Sequence, residues 1–173
     1  MTQKTTRTLN QVDLASIGAL VEKVRQEPHS AKTQWKAEVR WTGGFRSDSR
    51  CRDFGPVHSD EPTGLGGTNT APNPVEQLLA ALGNCLAVGY AANASAAGIE
   101  IRSLKIDLEG AIDLHTFLGL GGNNAGYESI RVGVHLDADA TPAEIKALHE
   151  KVVGSSPVGH TLSRGVPLKI ELA

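Results

Sequence analysis

The run NPVEQLLAALGNCLAVGYAANASAAG, Asn73 to Gly98, decides the architecture. Asn73 reads as a helix N-cap, Pro74 as the first helical residue, and Glu76 sits where its carboxylate reaches back to close a capping box. The spacing predicts a helix over Pro74 to Ala97, with Gly98 supplying a left-handed stop. Between these ends apolar and small residues occupy every face, and a helix apolar all round needs cover on all sides. Ala80, Ala81, Gly83, Ala87, Gly89 and Ala91 keep the rod thin, so that other backbones can approach it closely. A chain of 173 residues has few other elements with which to wrap it. A second subunit is therefore expected to share the cover, in a homodimer with a two-fold axis. A single thiol, Cys85, lies near the middle of this helix.

Outward from that helix, Leu14 to Glu27 carries Leu14, Ile17, Leu20, Val21 and Val24 at helical spacing, with Asp13 as a cap and Pro28 as a stop. Thr33 to Thr42 alternates as a half-buried strand with Trp35, Ala37, Val39 and Trp41 on one side. Gly43-Gly44 turns it into a second strand, Phe45 to Phe54. Gly55 to Ala71 reads as an irregular loop, and its GLGGTN stretch lacks the Lys-Ser/Thr of a phosphate loop. Strands are expected over Glu100 to His115 and Ser129 to Asp137, separated by a Gly-rich loop. Thr141-Pro142-Ala143-Glu144 repeats the cap-Pro-x-Glu signature and opens a helix ending near Val153. A final strand is expected over Val166 to Leu172. The order α-β-β-α-β-β-α-β, with hairpins, makes the class α+β and the sheet largely antiparallel. Residues 1–30 form an N-terminal helical extension and 31–173 a single domain.

With 40% hydrophobic residues and 21% charged, the composition is that of an ordinary globular protein. A net charge of −2 leaves no basic footprint for nucleic acid or an anionic membrane. The N-terminus has no continuous apolar stretch of the secretory kind. Asn84, Asn93 and Ser95 interrupt the most apolar segment, which argues against a transmembrane span. The cytoplasm is the default compartment. Cys51 and Cys85 make neither a disulfide framework nor a zinc spacing. The six histidines, His29, His58, His115, His135, His149 and His160, show no HxH or HExxH pattern, so a metal site is not expected.

The chain resembles the OsmC/Ohr superfamily of osmotically induced and organic-hydroperoxide-resistance proteins. The resemblance lies in PNPVEQLLAALGNCLA, in the strand-rich segment with GAIDL, and in SSPVGHTLSRGVPLKIEL, and it covers Trp35 to the C-terminus. It implies an OsmC-like fold in which antiparallel sheets wrap long central helices in an intertwined homodimer. It also implies a thiol peroxidase site without metal or prosthetic group. A helical cysteine attacks the peroxide, an Arg paired with a Glu activates it, and a second cysteine before a Pro-Val step resolves the sulfenic acid. Carried over, the attacking thiol is Cys85, the Arg is Arg46 in TGGFR, and the Glu is Glu76. The resolving position is Ser156, a hydroxyl that cannot form a disulfide.

Each residue also has a plainer reading. The helix neighbours of Cys85 are apolar or small, the setting of an inert structural thiol, whereas a nearby guanidinium would favour the thiolate. Arg46 could be a solvated hairpin arginine. Glu76 competes with its own capping box, and its nine-residue separation from Cys85 is half a turn out of phase. Strand alternation places Arg46, Asp48, Arg50 and Arg52 on one face and Cys51 on the other, which makes Cys51 a poor resolving thiol unless a bulge intervenes. His160 lies four residues after Ser156 and is placed to share a pocket wall with it. The expectation is a peroxidase reducing organic hydroperoxides, of one-cysteine type and regenerated by an external thiol reductant. The alternative is a non-catalytic protein of the same fold that binds a small ligand. A third reading makes Cys85 or Ser156 an acyl-transfer nucleophile, but no GxSxG elbow or base accompanies either.

Overall fold

A computed structural model describes residues 8–172. These divide into two compact units, one of Ala15–Leu78 and the other of residues 8–14 together with 79–172.

In the first unit, helix α1 (Leu14–Gln26) ends just ahead of a 3-10 turn at Pro28–Ala31 and buries none of its residues. Strands β1 (Glu38–Gly43), β2 (Arg46–Arg50) and β3 (Val57–Ser59) form an antiparallel sheet in that order. The β1–β2 pairing slips between Trp41 and Gly43, where Gly43 and Gly44 take positive φ, and Trp41 Nε1 donates to Gly44 O at 2.8 Å. Both strands are shorter than expected. Trp35, Val39 and Trp41 are exposed rather than half-buried, because no layer of the sheet's own unit covers that face. β3 lies in the stretch expected to be irregular, where Val57, His58 and Ser59 pair with Ser49, Asp48 and Ser47.

The loop between β3 and α2 is organised by Asp60, which is 1% exposed. Its carboxylate accepts from Glu61 N at 2.8 Å, from Thr68 N and Thr70 N at 3.1 Å, from Thr68 Oγ1 at 2.5 Å and from Thr70 Oγ1 at 2.9 Å. These donors, the Thr68 hydroxyl foremost, hold the Asp60 carboxyl well below the usual carboxylate range against the opposing cost of burial. Gly67 is where this loop crosses itself: a Cβ there would fall 1.9 Å from Glu61 O.

Helix α2 (Pro74–Ala96) follows the sequence closely. Asn73 Oδ1 accepts from Glu76 N at 2.9 Å and Asn73 N donates to Glu76 Oε2 at 2.8 Å, which is the capping box read from the sequence. Gly98 takes the left-handed φ of 75°.

In the second unit, β4 (Ile101–Ile112) and β5 (Tyr127–Ala138) make a long antiparallel hairpin. Its apolar face, with Leu104, Ile106, Leu108, Val132 and Val134, packs on a core of Leu82, Leu86, Tyr90, Ala94, Ile99, Ala138, Leu148 and Val152. Gly83 brings α2 against the sheet so closely that a Cβ would meet Leu108 Cδ1 at 2.8 Å. Gly89 does the same against Val152. Asn10 ties the start of the described chain to this unit. Its side chain donates to Ser95 Oγ at 3.0 Å and Ile99 O at 2.9 Å and accepts from Ile101 N at 2.8 Å.

Helix α3 (Pro142–Ser155) carries the expected Thr141–Glu144 capping box. It is followed by α4 (Pro157–Arg164), which the sequence reading did not separate. The tail expected as a strand over Val166 to Leu172 is not in a sheet. Among the described residues no strand pairs with it, and Leu168, Ile170 and Leu172 are exposed. At 23 residues and a mean hydropathy of 1.3, α2 is by length and composition apolar enough to cross a bilayer. Its residues Leu82, Leu86, Tyr90 and Ala94 are instead those of the packed core.

Candidate functional site

Cys85 lies midway along α2 and is half-buried. Its sulfur is 3.3 Å from Ser156 Oγ, the residue 71 positions later that joins α3 to α4. Ser156 is 4% exposed and caps α4, its Oγ accepting from Gly159 N at 3.1 Å. That bond occupies a lone pair of the hydroxyl and leaves its proton free to point at sulfur. When the thiol is ionised, Ser156 is thus a ready donor to the thiolate, and the N-terminal end of α4 backs the same hydroxyl. The position that the resemblance assigns to a resolving cysteine therefore stands directly beside the candidate nucleophile.

The other candidates belong to the first unit. Arg46, at the start of β2, is exposed; its Nε donates to Gly43 O at 3.3 Å. Among the described residues it makes no ion pair with Glu76, whose carboxylate is engaged in the capping box and whose neighbour Asn73 also donates to Glu61 Oε2 at 3.2 Å. Cys51 is a free, exposed thiol one residue beyond the end of β2. The alternation that set it on the face opposite Arg46 stops at Arg50, and Arg52 takes a left-handed φ of 54°. Among the described residues no cluster of histidine, cysteine and carboxylate side chains is arranged to hold a metal.

Beside Ser156 the structure holds a cleft of about 640 Å³, lined by α2, β5, α3 and α4. His160 shares its wall with Ser156, as the four-residue spacing implied. Tyr90, which is 1% exposed, also lines it, and its hydroxyl hydrogen-bonds His149 Nδ1. Burial pushes the Tyr90 phenol up. Sequence reasoning missed both Tyr90 and His149, since 59 residues separate them and neither belongs to a motif.

A family model described as OsmC-like protein matches residues 67–171. The fold is similar to that of an OsmC-like protein from Mycoplasma pneumoniae, 18% identical, over 78% of this chain and 90% of that one, with a TM-score of 0.67. It is similar also to an organic hydroperoxide resistance protein OsmC from Legionella pneumophila, 20% identical, over 78% and 93% of the two chains, with a TM-score of 0.54. An organic hydroperoxide resistance protein from Elizabethkingia anophelis, solved with thiocyanate bound, is 20% identical over 78% and 92%, with a TM-score of 0.57. No curated protein matches the chain. With the matched segment running from the loop before α2 through α4 into the C-terminal tail, the chain belongs to the OsmC-like protein family.

Proposed function

We propose that this protein is a thiol peroxidase that reduces organic hydroperoxides with Cys85 and is regenerated by an external thiol. The observation that carries the reading is the 3.3 Å contact between Cys85 Sγ and Ser156 Oγ on an OsmC-like fold. The Cys85 thiolate attacks the distal peroxide oxygen and the O–O bond breaks. The alkoxide leaves as an alcohol on taking a proton, and the sulfur becomes a sulfenic acid. One external thiol then displaces water to give a mixed disulfide, and a second releases the reduced enzyme and a disulfide. Arg46 is proposed as the guanidinium that holds the thiolate. Glu76 is proposed to orient Arg46 with Oε1 while Oε2 keeps the cap. Names of solved relatives that refer to organic hydroperoxide resistance support the substrate class.

The site is proposed to be completed in a cytoplasmic homodimer. Exposed Trp35, Val39 and Trp41 on the first sheet, Val88 on α2 and the alternating Leu168, Ile170 and Leu172 support this, since apolar surface on that scale marks a face awaiting a partner. Residues 1–30 are proposed as an extension to the domain that follows.

The test is turnover: consumption of cumene hydroperoxide with a small thiol or dithiol supplied in excess. Sustained consumption that Cys85→Ser abolishes and Cys51→Ser spares is expected. Absence of turnover with every thiol would favour the second reading, a ligand-binding protein of the same fold. The observations behind that reading are Ser156 in the resolving position and the apolar cleft beside it.

A further inference from the structure

The peroxidase reading uses Ser156 and Cys85 and leaves the cleft unexplained. Ser156 is part of its wall; Cys85 is not. Its apolar lining comes from two elements. Leu82 and Leu86 fall on one stripe of α2, and Ile130, Val132 and Val134 fall on one face of β5. From Ile130 to Val134 the strand advances about 14 Å, the length of an extended aliphatic chain of roughly ten carbons. A cleft of about 640 Å³ is of ordinary ligand size.

The polar groups lie on α3 and α4. Arg164 and His160, four residues apart and so on one face of α4, both line the cleft, with Arg164 Nη2 3.4 Å from His160 Nε2. Lining residues include no aspartate or glutamate, and among the described residues Arg164 has no carboxylate partner. Its place in the last turn of α4 suits the helix dipole, and the His160 contact engages only Nη2, so that among the described residues the other guanidinium N–H groups have no partner. One unpaired guanidinium beside an apolar lining matches one negative charge on an apolar body, and its fork matches a carboxylate.

We propose that this cleft binds an amphipathic carboxylate. The aliphatic tail lies along Leu82, Leu86, Val132 and Val134, and the head group pairs with Arg164 beside His160. The cleft shares its Ser156 wall with the thiol site, but its occupancy does not depend on the reactivity of Cys85.

The experiment titrates decanoate, and separately decanol, into the methyl-labelled full-length protein and follows the leucine and valine methyl resonances. Decanoate is expected to give saturable shifts at Leu82, Leu86, Val132 and Val134, with decanol binding about tenfold more weakly, as the loss of a charge-assisted pair implies. Arg164→Gln should bring decanoate down to the decanol level and leave decanol unchanged. Cys85→Ser should bind decanoate as the unmodified protein does, so this site and the peroxidase reading stand or fall apart. Saturable shifts elsewhere, none at all, equal affinities for the two probes, or indifference to Arg164→Gln would overturn the proposal.

Discussion

Ser156 Oγ lies 3.3 Å from Cys85 Sγ while accepting the Gly159 amide of α4. One hydroxyl therefore serves as helix cap and as neighbour of the thiol. Replacing it with a thiol should restore a disulfide partner. Ser156→Cys is expected to form an intramolecular disulfide with Cys85 after one equivalent of hydroperoxide, read as a loss of two hydrogens by intact mass. A stable sulfenic acid in that variant would place the two side chains farther apart than the structure does.

Ser156→Ala removes the cap and the donor together. It should lower stability by about 1 kcal/mol, the usual cost of an N-cap, in a denaturant titration. It should also slow oxidation of Cys85 by more than that loss of stability accounts for, seen as a slower rate in stopped-flow with the protein fully folded. Unchanged oxidation would reduce Ser156 to a structural cap.

Asp60 is a buried carboxylate that owes its ionised state to five donors from its own loop. Its folded pKa is depressed, so its contribution to stability is full above the unfolded value, about pH 4, and is lost as pH falls through the lower folded value. Asp60→Asn should therefore lower Tm at pH 7, with the gap to the unmodified protein narrowing below about pH 4. A gap that stays constant across acid pH would mean the charge contributes nothing.

Gly67→Ala tests the same loop through shape alone. The added methyl would stand 1.9 Å from Glu61 O, a backbone atom, so the crossing must open. A loss on the order of 1–3 kcal/mol is expected by chemical denaturation.

The open faces predict the assembly. Sedimentation should give about twice the 18.2 kDa chain mass. Val88→Asp, at a position 70% exposed in the single chain, should shift the protein toward monomer with its circular dichroism intact. A monomeric unmodified protein would contradict the proposed dimer.

Much of the fold was legible because its signals are local. Asn73-Pro74-Val75-Glu76 and Thr141-Pro142-Ala143-Glu144 each specify a helix start in four residues, and both capping boxes are present. Gly98 needs its positive φ and has it. Ser156-Pro157 carries the same cap-then-proline step, a signal that could have located α4; Gly159 and the shortness of the helix masked it. β3 has three residues and exists only through pairing with β2, which no local pattern encodes. The tail alternates as a strand should, yet alternation alone does not supply a pairing partner, and among the described residues it pairs with no strand. At the site, the nearness of Cys85 and Ser156 came from resemblance. The cleft, with Tyr90 against His149, arises from elements distant in sequence and had no local signal.

The central claim is that Cys85 is a reactive thiol. It is tested most directly by intact-mass spectrometry of the reduced protein seconds after one equivalent of cumene hydroperoxide, with and without a sulfenic-acid trap, beside Cys85→Ser and Cys51→Ser. Rapid trapping that disappears only in Cys85→Ser is the predicted result. No adduct on that timescale, or one that persists in Cys85→Ser, would contradict the account.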